Sequence, residues 1–257
     1  MSALAAPVRP RRYVEHVMGM PISLALRGRH TDDARARDAW TEVIADLRDA
    51  DRVFSTYRDD SFVSRLARGE ITVADCPPEV AEVLELGVLA RLQSGGAFDV
   101  RRPRPDGSVV LDPSGVVKGW AVQRASSWLH TLTGTDFCLS AGGDMVCYTD
   151  DPEGDPWRIG IEHPLDPSHL VAVVPIRRGG VATSGTAHRG QHLVDARTGT
   201  APTRVASVTV VAGSLTWADL DATAAYAIGA EAAAWLRDRP GRTGLVVWRD
   251  GSVEQIG

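Results

Sequence analysis

The chain is almost without lysine: among its 28 lysines and arginines, Lys118 is the only lysine. Codon composition explains that bias most simply, but the single lysine falls inside a motif. Cysteine is scarce too. Cys76, Cys138 and Cys147 are odd in number and lack paired metal-ligand spacing, which suits small buried thiols in a reducing compartment better than a disulfide framework. No apolar run is long enough to span a bilayer. Residues 1–12 carry Arg and Pro but no apolar core of a signal peptide, so a cytoplasmic protein without membrane insertion is expected. Positive charge is not in excess. A net charge of −5 argues against a general nucleic-acid or anionic-membrane surface. Internal repeats, low-complexity blocks and dividing linkers are absent as well.

What is present describes an ordinary globular chain, 44% hydrophobic and 24% charged over 257 residues, long enough to bury a sizeable core. Residues 1–12 are expected to be a flexible tail and 13–257 one domain. In residues 13–27, strand-forming residues surround Met18-Gly19-Met20-Pro21, where Gly and Pro interrupt a simple strand. Thr31-Asp32-Asp33 offers caps for a helix with Trp40, Val43, Ile44, Leu47 and Phe54 facing inward. Pro77-Pro78 opens a helix through Leu92, and Gly95-Gly96 stops it. A short strand at 109–111 leads into a helix that runs to about Leu132. Further strands are expected at 137–140 with continuation to Tyr148, and at 157–162, 170–177, 207–212 and 244–248. Helices and strands come in mixed groups, which predicts an α+β fold with mainly antiparallel sheets.

The stretch 216–223 opens an Ala-rich run ending near Leu236. Trp217, Leu220, Ala224, Ile228 and Trp235 keep helical spacing and define one inward stripe. Asp219 and Thr223, four apart, share another flank and offer two hard oxygens to a cation such as Mg²⁺. The plainer alternative is an Asp complementing its own helix N-terminus and a surface Thr. Asp221 has no evident role. Asp112, Gly115, Lys118 and Gly119 cluster at another helix start, where a lysine is unfavourable unless an anion is near. An exposed lysine with Asp112 as helix cap reads equally well. Residues 181–199 read as a loop rich in His, Arg, hydroxyls and Asp, suited to proton transfer and phosphate contact. The glycine turns match neither a dinucleotide-binding fingerprint nor a phosphate-binding P-loop.

Several motifs in order resemble the ApbE family of FAD:protein FMN transferases. They are Met18-Gly19, Ser55-Thr56-Tyr57 with Asp60-Ser61, Gly95-Gly96-Ala97-Phe98-Asp99, and Leu111-Asp112 through Lys118-Gly119-Trp120. Gly142-Gly143-Asp144, Ala182-Thr183-Ser184-Gly185, His192-Leu193-Val194-Asp195 with Thr198-Gly199, and Ala218-Asp219 to Thr223 follow. The resemblance implies an ApbE-like (T-fold-like) α+β architecture. It also implies Mg²⁺-dependent transfer of FMN from FAD to a Thr or Ser hydroxyl of an acceptor flavoprotein with an FMN-binding domain, releasing AMP. By position Asp219, Thr223 and the backbone around Gly115 would hold Mg²⁺. Met18, Tyr57, Ala97, Phe98, Asp99, Asp112, Lys118 and Leu193 would bind FAD. His192 would serve as the base, with His188 in reserve. Three departures from the family pattern stand out: Met20 in place of Thr, Arg101-Arg102-Pro103 after the Phe-Asp turn, and Gln191 where many members carry a second His. A Mg²⁺-dependent FAD pyrophosphatase and a non-catalytic FAD-binding protein are the alternatives.

Overall fold

A computed structural model describes residues 10–103, 107–185 and 193–257, with the side chain of Pro103 excepted. The chain opens with strands β1 (Arg11–Val17) and β2 (Met20–Gly28) and helices α1 (Ala34–Phe54), α2 (Phe62–Ala67) and α3 (Pro78–Gln93). Next come β3 (Arg101–Pro103), β4 (Val109–Leu111), α4 (Ser114–Ala125), β5 (Thr135–Ala141), β6 (Asp144–Tyr148), β7 (Trp157–His163), β8 (Asp166–Ile176) and β9 (Arg178–Gly185). The chain ends with β10 (Val205–Ala212), α5 (Leu215–Ile228), α6 (Ala232–Arg237), β11 (Thr243–Trp248) and β12 (Val253–Ile256). Eight strands form one sheet in the order β1-β2-β5-β6-β9-β10-β11-β12, every neighbouring pair antiparallel. The expected α+β class with antiparallel sheet is what the chain forms.

Alternation along the strands sets the layers. Ile22, Leu24 and Leu26 of β2 are fully buried while Ser23, Ala25 and Arg27 point the other way. In β5, Phe137, Leu139 and Ala141 join the main core with α1, α4 and α5. Cys138, between them, joins Cys147, Trp157, Ile159, Ile161 and Ile176 in a second core beneath the β7–β8 hairpin. The sheet is thus covered by helices on one face and by a two-stranded ribbon on the other.

Local chemistry explains the helix ends. Asp33 caps α1 by accepting from the Ala36 N–H at 3.0 Å. Ser214 caps α5, and the Leu215 N–H donates to Gln123 of α4 at 2.7 Å, so α4 helps to start α5. The Ala-rich run is not one helix to Leu236. Gly229 at φ 76° ends α5, and a short 3-10 turn precedes α6. Arg11 and Arg12, expected in the tail, pair with Leu26 and Ala25 in β1. Residues 181–185, expected in a loop, are strand β9, held between β6 and β10.

Candidate active site

Two glycines bring α5 onto its neighbours. A Cβ at Gly180 of β9 would lie 2.3 Å from the Leu215 Cα, and one at Gly119 of α4 would lie 2.8 Å from the Asp219 Cβ. Hydrogen in place of a side chain lets the first turn of α5 rest directly on a strand and on a helix. Asp219, at 3% exposure, faces α4 there. Its Oδ2 accepts from the Gly119 N–H at 3.0 Å and its Oδ1 lies 3.3 Å from Lys118 Nζ. The carboxylate is therefore engaged by α4 rather than by its own helix N-terminus.

The same ammonium forms an ion pair with Asp144, which is 1% exposed. Two buried carboxylates thus share the chain's only lysine. Burial pushes the Asp219 carboxyl up to about 6; Lys118 opposes the rise and Asp144 adds to it. One turn along α5, Thr223 Oγ1 lies 3.0 Å from Ser184 Oγ on β9. No three His, Cys, Asp or Glu side chains cluster as metal ligands among the described residues. A hard divalent cation held by few protein oxygens and completed by phosphate fits this donor set: one under-neutralised acid pair with a hydroxyl a turn away. Gly115 lies one turn before Gly119 in α4, with the Phe98 ring 3.0 Å from where a Cβ would stand.

Of the other expected binding residues, Asp112 lines a second feature. A cavity of about 500 Å³ is lined by Thr56, Ser64, Arg68, Arg102, Asp112 and Val194 among others. Asp112 forms an ion pair with Arg102 and accepts from the Ser114 N–H at 3.1 Å, opening α4. Tyr57, beside Thr56, is 98% exposed. Leu193, beside Val194, packs partly buried against the main core. Ala97 and Phe98 are buried, and the Ala97 carbonyl accepts from the Ala196 N–H at 3.0 Å, tying the two loops together. Asp99 pairs with Arg91 at 2.9 Å and accepts from the Arg101 N–H. Met18 occupies the β1–β2 turn at φ 55°, a left-handed conformation that few non-glycine residues adopt. The cavity wall includes Asp112 but not Lys118, Asp144 or Asp219. His188 and His192 lie outside the described residues.

The segment 195–199 is a tight turn: the Gly199 N–H donates to the Asp195 carbonyl at 2.7 Å, with Gly199 at φ 71°. Burial would raise the Asp195 carboxyl, but hydrogen bonds from Arg197 outweigh it and hold the group below its ordinary value. No local sequence signal gives Asp221 a role. It is 2% exposed and accepts from Arg239 at 2.8 Å and Arg242 at 2.6 Å, a structural ion-pair cluster behind the site. Asp144 was legible only as part of a Gly-Gly-Asp turn. Its contact with Lys118 needs three dimensions.

Solved structures share this fold. The ApbE protein of Thermotoga maritima superposes with a TM-score of 0.82 at 19% identity, over 96% of this chain and 97% of that one. The flavinyl transferase ApbE of Pseudomonas stutzeri gives 0.79 at 22% identity, over 98% and 96%. The sequence profile of the ApbE family matches residues 18–103 and 101–246, and the chain belongs to that family. Its relatives include the FAD:protein FMN transferase of Klebsiella pneumoniae, 30% identical over 62% of this chain. That of Haemophilus influenzae is 24% identical over 78%. The match spans about half (47%) of the Klebsiella protein and 75% of the Haemophilus protein.

Proposed function

We propose that the chain transfers FMN from FAD to a Thr or Ser hydroxyl of an acceptor flavoprotein bearing an FMN-binding domain, releasing AMP. The observation that carries this reading is the buried Lys118–Asp219–Asp144 cluster with Thr223 one turn away, in a chain of the ApbE family. Mg²⁺ would be held by Asp219, Thr223 and backbone near Gly115, and when bound it would neutralise charge on the pyrophosphate. FAD would occupy the cavity beside Asp112, with Tyr57 available to cover the flavin and Met18, Ala97, Phe98, Asp99 and Leu193 shaping its surroundings. Asp112 and Asp99 suit hydrogen bonds from ribose or ring N–H groups rather than phosphate. Lys118 would supply positive charge toward the phosphates.

The reaction forms a bond between the acceptor oxygen and the FMN phosphorus and breaks the bond from that phosphorus to the AMP oxygen. His192 takes the hydroxyl proton, with His188 as the alternative base, and the leaving oxygen departs with AMP. The three free cysteines support a cytoplasmic setting, and no helix among the described residues is long and apolar enough to cross a membrane.

Product analysis tests this. With FAD, Mg²⁺ and an acceptor, AMP should accumulate in step with acceptor-bound flavin, and EDTA should stop both. AMP with equal free FMN would instead establish a pyrophosphatase. Bound FAD without products would establish a binding protein.

A further inference from the structure

Asp144 is placed by a two-residue hairpin. Gly142 and Gly143, at φ 58° and 97°, turn β5 into β6 so that Ala141 pairs with Asp144. From there its carboxylate works in two directions. Oδ1 accepts from the Thr183 N–H at 2.9 Å, fixing the strand whose next residue, Ser184, touches Thr223. Oδ2 pairs with Lys118, whose ammonium lies 3.3 Å from Asp219. One buried carboxylate therefore stands behind both side chains proposed to hold the cation.

We propose that Asp144 is a positioning residue that draws the Lys118 ammonium away from Asp219, leaving the Asp219 carboxylate open to a divalent cation. The proposal rests on the metal reading above. Without the charge of Asp144, the Lys118 ammonium still lies beside the buried Asp219 carboxylate and competes with the cation for it. Asp144→Asn keeps an acceptor for the Thr183 N–H, so its effect reports on the charge and not on the strand.

The test is Mn²⁺ binding to the full chain saturated with FAD, the free ion being counted by electron paramagnetic resonance. Four proteins are compared: wild type, Asp144→Asn, Lys118→Met and the double variant. Asp144→Asn should weaken Mn²⁺ binding about tenfold, the scale of one nearby charge at intermediate dielectric. Lys118→Met alone should tighten it. In the Lys118→Met background the loss caused by Asp144→Asn should shrink about threefold or more, because the competing ammonium is gone. A loss of closer size in the two backgrounds, no loss in Asp144→Asn, or weaker binding in Lys118→Met overturns the proposal. A wild-type chain that binds no Mn²⁺ overturns the metal reading itself, an outcome visible before any variant is made.

Discussion

The backbone N–H of Gly119 donates to Asp219 Oδ2 at 3.0 Å, and a methyl group on Gly119 would stand 2.8 Å from the Asp219 Cβ. Helix α4 thus positions the carboxylate of α5 by a hydrogen bond that only a glycine permits. Gly119→Ala must push the two helices apart. Overpacking of this kind costs about 1–3 kcal/mol. The expected outcome is a lowered melting temperature together with a loss of turnover larger than the stability change explains, measured by thermal denaturation and AMP release.

Asp219→Ala should abolish Mg²⁺-dependent turnover and leave the fold intact. Removing the carboxylate takes away one acceptor of the Gly119 N–H, a cost of about 1 kcal/mol, but also relieves a buried group whose pKa burial drives up to about 6. Lys118 keeps Asp144 as its partner. Circular dichroism and AMP release check the two halves; unchanged activity would remove Asp219 from the metal site.

Asp221, two residues on, should behave in the opposite way. Asp221→Ala leaves Arg239 and Arg242 without the anion they share, and breaking a buried pair of this kind costs about 3–5 kcal/mol. Denaturant unfolding should show that loss, while FAD and Mg²⁺ affinities of the folded fraction stay near wild type.

Tyr57 is 98% exposed, so Tyr57→Ala should not change stability. If its ring covers bound flavin, FAD affinity should fall about tenfold, the upper range for an aromatic stack. Flavin fluorescence quenching measures it, and an unchanged Kd would remove Tyr57 from the FAD site.

Much of this was readable in the sequence because local rules govern it. Asp33 as a cap and Gly95-Gly96 as a stop follow from residue type. The break at Gly229 was hidden by the continuing Ala-rich pattern, since apolar periodicity passes through a turn that only the backbone angle reveals. Residues 181–185 of β9 read as a loop because Gly and Ser interrupt the strand-favouring Val181 and Thr183; β6 and β10 on either side make it a strand. At the site, the spacing of Asp219 and Thr223 was a local signal. The ion pairs of Asp144 and Asp221 join residues far apart in sequence, and no spacing rule could announce them.

In the proposed reaction FMN itself moves onto a protein hydroxyl. Intact-mass measurement of an acceptor carrying an FMN-binding domain, after incubation with the chain, FAD and Mg²⁺, tests it directly. A gain equal to FMN minus water is expected, absent with EDTA and absent when the acceptor Thr or Ser is replaced by Ala. An acceptor of unchanged mass beside accumulating AMP and free FMN would contradict it.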